Sequence, residues 1–561
     1  MSAVRRTRPP RDLVYLPLGG SGEIGMNCYL YGLGDETRRQ WIMVDLGVKF
    51  GDERLPGIDV VLPDLAFAES ERRNVLGLLI THAHEDHIGA VAWLWPRLRC
   101  PIYCTPFAWE ILKNKLAEHN LTEEANVNVV PMGARFAIGP FEIEYVSVTH
   151  SLPEPNAVVL RTPLGTVVHS GDWKIDRNPT IPPRMDEARL RTIGQEGVRA
   201  LICDSTNVVR DGYSPSESEV EETLTEVVAK ARRRVAITTF ASHVGRVTSA
   251  VRAARKADRE VVLAGRAMRT VVEAARSVGL LADAGQFLDE DAIGFLPPER
   301  VLLLCTGSQG EPRAAMARIA EDTHPNIALE KGDLAIFSSR TIPGNEKAVS
   351  AVMNALARRG IEILGSEDAL VHTSGHPRRG ELREMYEWLK PELVIPNHGE
   401  PRHLRLQEGF AKACGVPETL YVENGEMVRI APGPAAIVDE APAGTLHVDG
   451  RLIVPSTDGP VKFRRKLSFV GIAFVSLLLD GRGDVTDEPQ LILDGLPTET
   501  DDGDSMPERL LDALDRALDS MPRARRREDE AVIETVRNAL RREAEALWGK
   551  RPIVHVTIHR L

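Results

Sequence analysis

Apolar residues along this chain come in short blocks separated by turn-forming residues, and two textures alternate. Blocks at 13–18, 26–31, 40–45, 75–81, 141–149, 166–170 and 200–203 read as buried strands, each too short for a helix. From about 211 to 367 the texture changes. Blocks at 234–240, 260–263, 301–304, 333–337 and 361–364 alternate with helical periodicity at 220–231, 247–256 and 347–358. Strands separated by helices predict a parallel α/β sheet. The first texture then returns, with a helix at 381–389 and a strand at 393–396. The run Ala431-Pro-Gly-Pro-Ala-Ala436 looks like a linker. Beyond it stands a smaller unit with a strand over 468–479, a helix over 505–520 and a final strand over 553–558. Ser505 and Glu508 predict a capping box on that helix, with Leu510, Leu514 and Leu518 as its buried stripe. A second helix carries Val532, Val536, Leu540 and Leu547. The chain therefore divides into 12–210, an insertion 211–367, a return 368–450 and a C-terminal part 451–561.

Composition narrows the class only a little. With 561 residues, 43% hydrophobic and 27% charged, the chain is long enough for several cores. No apolar run approaches a membrane span. The basic start, up to Arg11, has no apolar segment behind it and reads as a solubilising arm, not a signal peptide. Six scattered cysteines, with no second pair to join Cys100 and Cys104, fit reduced thiols of a cytoplasmic protein. A net charge of −12 argues against a general nucleic-acid coat and leaves room for a local basic channel.

The chemistry concentrates at strand ends. His82-Ala-His-Glu-Asp-His87 puts three imidazoles and two carboxylates into six residues, just after the block 75–81. Imidazole nitrogen and carboxylate oxygen suit zinc, and also manganese or iron. One ion cannot use every group at this spacing: His82 and His84 can share one, while Asp86 and His87 turn toward a second. The bland alternative is a solvated polar loop, which such a density of ligands disfavours. A lone His or Asp at a strand end is ordinarily a hydrogen-bonding residue, yet His150 and Asp172 each follow a strand in the same way. His169 lies inside its strand and reads as packing. The loop Gly19-Gly-Ser-Gly-Glu-Ile-Gly25 lacks a P-loop lysine and a following helix, so it reads as a hairpin loop near a site. In the insertion, the strand ends 241–246, 264–266, 306–312 and 338–346 are small, hydroxylic and arginine-bearing, as a phosphate-contacting rim should be.

The pattern His-x-His-x-Asp-His after a strand resembles the metallo-β-lactamase superfamily. The longer run Thr-His-x-His-Glu-Asp-His-Ile-Gly-Ala resembles its ribonuclease J branch. An α/β segment inserted within the metal-binding domain is the β-CASP arrangement, and Asp204, His376 and His398 match that family's three motifs. The resemblance implies a metallo-β-lactamase αββα sandwich with an inserted parallel α/β β-CASP domain and a small C-terminal α/β domain. It implies two divalent ions, zinc first and manganese second. His82, His84 and His150 would hold one, Asp86, His87 and His398 the other, and Asp172 would bridge them. Asp45 would support a histidine ligand from behind. Asp86, Asp204 and His376 would carry the chemistry, with the loop His372-Thr373-Ser374-Gly375-His376 on the scissile phosphate. Ser242, His243, Arg266 and Ser308 would read a 5′-monophosphate end.

The implied activity is RNA maturation and decay in the cytoplasm by 5′→3′ exonuclease and endonuclease action, in a homodimer or tetramer, away from membranes. Two departures bear on RNA contacts. The chain has His243-Val-Gly-Arg246 where the family has Asn-x-His-Arg, and Gly375-His-Pro-Arg-Arg379 where it has Gly-His-Ala-Ser. The rival readings are a β-CASP nuclease of the DNA-repair or messenger-RNA 3′-end type, a hydrolase of a small thioester or lactam, and a silent RNA-binding subunit.

Overall fold

The computed structural model describes residues 12–342, 344–457 and 459–561, so the basic arm read at the start of the sequence lies outside the described residues. The chain folds as two compact units. One is Val60–Leu446 together with the chain up to Phe50; the other is His447–Leu561 together with Gly51–Asp59.

The larger unit is built on two facing sheets. The first has eight strands, in the order Ala436–Glu440, Glu426–Ala431, Asp12–Gly19, Cys28–Gly34, Gln40–Val44, Val75–Leu79, Ile102–Cys104 and Val127–Val129. The second has seven: Glu418–Thr419, Leu393–Asn397, Ala200–Asp204, Gly165–His169, Asn156–Thr162, Phe141–Ser147 and Arg135–Ile138. Side chains alternate across a strand, so each sheet gives one face to the shared core. Tyr15, Tyr31, Ile42, Val44 and Leu79 meet Ile143, Tyr145, Val158, Leu160, Ile202 and Ile395 there. Behind the second sheet, Val159, Val168, Leu201 and Val394 pack on Leu190, Leu382, Trp388 and Ala411 of the covering helices. Behind the first, Trp41 meets Phe67 edge-on. These layers form an αββα sandwich.

The insertion forms a separate five-stranded sheet, ordered Glu260–Ala264, Val301–Cys305, Val235–Thr238, Leu334–Phe337 and Glu362–Leu364. Its strand pairings are all parallel among the described residues. Helices cover both faces: Val220, Leu224 and Val247 lie against Ile237 and Leu304 on one side, and Met316, Val349 and Leu356 against Leu303 and Phe337 on the other. All its strand ends therefore open on one edge, as the sequence pattern implies.

In the C-terminal unit the strands Gln490–Asp494, Ile472–Leu479 and Ile553–Arg560 form a sheet. The stripe Leu510, Leu514, Leu518 and the residues Val532, Val536 and Leu540 cover one side of it. Ser505 caps its helix, accepting from the Glu508 amide. One predicted strand begins late: residues 468–470 end the helix Gly459–Val470, and Gly471, at φ +59°, turns the chain into the strand at Ile472. A Cβ on Gly471 would stand 2.6 Å from the Asp494 carbonyl oxygen, so only glycine makes that turn without strain. Among the described residues no helix is long and apolar enough to cross a membrane.

Candidate metal centre

Parallel pairing brings the chemistry together. Gly165–His169, Ala200–Asp204 and Leu393–Asn397 run side by side in the same direction. Their ends deliver Asp172, Asp204 and His398 to one place. Gln40–Val44 and Val75–Leu79 are likewise parallel, and they end at Asp45 and at the His82–His87 run. The apolar run 88–94 predicts a helix after that motif, and the helical conformation begins three residues before it. Glu85–Ile88 is already helical, with His84 as the cap residue, and Val91–Leu98 follows. Two acidic residues in that first turn favour a helix N-terminus. The motif is thus split: His82 and His84 extend from the strand, while Asp86 and His87 ride on a helical turn.

Three donor groups result among the described residues, and all share Asp172. In the first, His84 Nδ1 lies 3.2 Å from His82 Nε2 and 3.1 Å from His150 Nε2. Asp172 Oδ2 is 3.8 and 3.7 Å from those two Nε2 atoms. In the second, the same Oδ2 is 3.2 Å from His87 Nε2 and 3.4 Å from His398 Nε2. Asp86 Oδ2 completes that group at 3.5 and 3.7 Å. Four ligands around a tetrahedral zinc at ~2.0–2.1 Å stand roughly 3.3–3.5 Å apart, so both donor sets fit such an ion. Asp172 Oδ1 is buried and has no hydrogen-bond partner among the described residues, which also fits a carboxylate waiting on a cation.

Four of the ring nitrogens that face away from the donor groups are held. His82 Nδ1 lies 2.9 Å from Thr81 Oγ1, and His150 Nδ1 lies 2.7 Å from the Gly375 carbonyl. His87 Nδ1 lies 2.7 Å from Asp45 Oδ2, whose other oxygen accepts from the Thr81 amide. His398 Nδ1 lies 2.9 Å from Asn27 Oδ1. Such outer contacts set each ring's tautomer and aim. Burial and neighbouring rings keep His82 and His150 well below the usual histidine range and bring His84 down to about 4. The three rings are therefore neutral donors. At His87 burial acts the same way, but Asp172, Asp86 and Asp45 reverse it and raise the pKa.

His376 stands apart. Its Nδ1 is 2.7 Å from Asp204 Oδ2 and 3.9 Å from Asp172 Oδ2, so it forms the third donor group with those two carboxylates. Burial lowers its pKa, but Asp204 and Asp172 outweigh that and carry it to about 9. His169 lies outside the donor groups, 2.8 Å from the Tyr31 hydroxyl inside the core.

The residues assigned to RNA divide. In the loop before His376, Ser374 Oγ accepts from Asn207 Nδ2 at 2.7 Å, Thr373 Oγ1 donates to the Pro215 carbonyl, and Gly375 grips His150. A Cβ at 375 would stand 2.4 Å from His150 Nδ1. His372 Nδ1 is buried without a partner among the described residues. On the inserted rim Arg266 is exposed and Ser242 half-buried, whereas His243 and Ser308 are buried. His243 accepts from the Arg246 amide and lies 3.2 Å from Glu217, so it caps a helix below the rim. Sequence reasoning passes over Asn27 and Arg210, whereas Arg340 and Arg378 lie in stretches it ties to phosphate or RNA contact. Asn27 is wired into the second donor group, its only signal being the glycine loop that precedes it. Arg210, Arg340 and Arg378 have no carboxylate within ion-pair reach among the described residues, and Arg340 holds Asn207, itself bonded to the His376 carbonyl.

Comparisons with known proteins agree with this architecture. Residues 22–265 match the metallo-beta-lactamase superfamily, and residues 232–356 match "Ribonuclease J, beta-CASP domain". Residues 368–417 match "Zn-dependent metallo-hydrolase RNA specificity domain", and residues 460–561 match "Ribonuclease J C-terminal domain". Ribonuclease J of Sinorhizobium meliloti is 50% identical over 98% of this chain and 97% of its own length. Ribonuclease J of Mycolicibacterium smegmatis is 35% identical over 98% and 97%. A crystal structure of a protein of unknown function from Enterococcus faecalis V583 shares the fold, with a TM-score of 0.51 at 16% identity over 74% of this chain and 100% of that one. Full-length identity of that order, joined to a His/Asp centre at the strand ends of a sandwich with a parallel-sheet insertion, makes this chain a metallo-hydrolase of the ribonuclease J family.

Proposed function

We propose that this chain hydrolyses RNA phosphodiester bonds at a pair of divalent ions, zinc by preference and manganese as a substitute. The observation that carries the reading is the pair of donor groups joined through Asp172 Oδ2, with the His376–Asp204 pair beside it. His82, His84 and His150 would hold one ion, Asp86, His87 and His398 the other, and Asp172 would serve both. Such a pair, when bound, supplies a hydroxide at neutral pH and neutralises charge on the phosphoryl oxygens.

The chain's own residues do the rest. Asp204 holds His376 through Nδ1, which leaves the other ring nitrogen to donate to a phosphate oxygen. A ring whose pKa is raised to about 9 keeps its proton at neutral pH. The loop 372–376 ties that contact to His150, so phosphate position and ligand position are set together. Arg210, Arg340 and Arg378, lacking carboxylate partners, suit the backbone of a polyanion. Ser242 and Arg266 stand at the inserted rim, with His243 and Ser308 beneath it. That arrangement supports 5′→3′ exonuclease action favouring a 5′-monophosphate, beside endonuclease action on internal sites. RNA maturation and decay in the cytoplasm, by a homodimer or tetramer, is the setting we assign.

One assay tests the reading: purified protein on RNA, on DNA of the same sequence and on a small thioester, each with and without chelator. Chelator-sensitive cleavage of RNA alone is expected. Faster cleavage of DNA or of the thioester would overturn it.

A further inference from the structure

We infer that Asn27 is the positioning residue of the second donor group, setting the aim of His398 and Asp86 without binding an ion itself. The inference rests on the two-ion reading above. Asn27 is fully buried, two residues after Gly25 of the glycine loop. Its side chain touches three of the four residues of the second group. Nδ2 lies 3.0 Å from the Asp86 carbonyl, 3.4 Å from Asp86 Oδ2 and 3.0 Å from His87 Nε2. Oδ1 lies 2.9 Å from His398 Nδ1 and accepts from the Tyr29 hydroxyl at 2.6 Å.

The amide orientation follows from its partners. A backbone carbonyl only accepts, so the atom facing Asp86 O must be the NH2 group, and the oxygen faces His398. That oxygen cannot donate, so His398 must carry its proton on Nδ1. Its Nε2 lone pair is then free on the side of Asp86 and Asp172. Asn27 thus does for His398 what Asp45 does for His87.

The backbone around Asn27 reinforces the grip. Its own N–H also donates to the Asp86 carbonyl, and its carbonyl accepts from the Gly47 amide, each at 2.9 Å. The His398 amide donates to the Gly20 carbonyl at 2.7 Å. Gly20 sits at φ +81°, and a Cβ there would stand 2.4 Å from Asn27 Oδ1 and 2.2 Å from the Tyr29 hydroxyl. The glycine loop therefore leaves room for the amide, and this is the use of a run that otherwise reads as a plain hairpin. Among the described residues no hydrogen bond joins Asn27 to His82, His84 or His150, and the outer contacts of His82 and His150 are Thr81 and Gly375. The effect of Asn27 should fall on one ion only.

The test counts zinc in purified full-length protein after dialysis against a graded chelator series. The unaltered chain should retain about two equivalents until strong chelation. Asn27→Ala should lose one of them at roughly 10–100-fold weaker chelation, with the other retained as before. Asn27→Asp, which keeps an acceptor for His398 and loses the donor to Asp86, should fall between the two. Tyr29→Phe, which removes one contact to the same oxygen, should shift the same ion less. It also supplies the readout if circular dichroism shows that Asn27→Ala does not fold. Loss of both ions in parallel, or no shift in any variant, would overturn the inference. A parent chain that never holds more than one ion would instead overturn the two-ion reading on which it rests.

Discussion

The sandwich and the inserted sheet both carry their chemistry at the carboxyl ends of parallel strands, yet they treat it in opposite ways. In the sandwich, the ligand rings are buried or nearly so, and His82, His87, His150 and His398 are each held from behind by Thr81, Asp45, Gly375 or Asn27. On the inserted edge, Arg266 is exposed at the first turn of its helix, and Ser242 is only half-buried. A metal centre needs donor atoms placed within a fraction of an ångström, which long-range wiring provides. A flexible polyanion needs charges that can follow it, and an exposed guanidinium on a helix end does that better than one locked in ion pairs. On the proposed reading, the same strand-end topology serves rigid coordination on one side and adaptable contact on the other.

The hardest way to break this contrast is at the shared ligand. Asp172→Ala should bring cleavage below detection and strip zinc from both donor groups, since its Oδ2 faces four of the ligand nitrogens. Elemental analysis and a gel assay on one RNA would check both. If one ion stayed firmly bound, Asp172 would belong to a single group. His376→Ala should act on the rate alone, slowing cleavage about 10²–10³-fold, the usual cost of removing one donor that stabilises developing charge. Zinc content should not change. A parallel fall in zinc would turn His376 into a ligand.

The same contrast explains what was legible in the sequence. The run from His82 to His87, and His150, Asp172, Asp204 and His398, can be read because each begins within two residues of the end of an apolar block. The alternation of such blocks also gives the sandwich, the insertion and the small final unit. What stays hidden depends on partners remote in sequence. Asn27 contacts residues 59 to 371 positions away, and nothing local marks it except glycines. His243 reads as a rim residue until Glu217 is seen beside it. Gly51–Asp59 belongs with the C-terminal unit, although it lies between two segments of the larger one. The early helical turn at Glu85 is invisible because its apolar stripe begins only at Ile88.

A smaller effect is expected at the inserted rim. Arg266→Ala should reduce the preference for 5′-monophosphate over 5′-triphosphate RNA severalfold, with internal cleavage of a long unstructured RNA unchanged. Arg340→Ala should instead weaken binding of any RNA and reduce the salt slope by about one ion, as loss of one phosphate contact does. Matched 5′ ends in time courses and a salt titration would separate the two. Equal decay of both 5′ ends by the parent chain would assign the rim no part in end recognition.

The smallest expected effect calibrates all the others, because it concerns a carboxylate of the sandwich away from the strand ends. Glu144 lies within the strand Phe141–Ser147 and pairs with Arg189 at 2.7 Å, Arg161 at 2.8 Å and Arg135 at 3.1 Å. Burial raises its pKa, but Arg189 and Arg161 pull harder and bring it down to about 2. An unfolded glutamate titrates near ~4.3, so the folded chain holds its proton more weakly than the unfolded one. The stability this provides is complete above that unfolded value and is lost as pH falls toward 2. Glu144→Gln should therefore lower the melting temperature at neutral pH, and the gap to the parent should close as pH falls from about 5 toward 2. Zinc content at pH 7 and the cleavage rate per folded molecule should match the parent. A changed zinc count would mean that charge pairs anywhere in this sheet feed the metal centre. An unchanged count would restrict that influence to the strand ends, where the outer partners are Thr81, Asp45, Gly375 and Asn27.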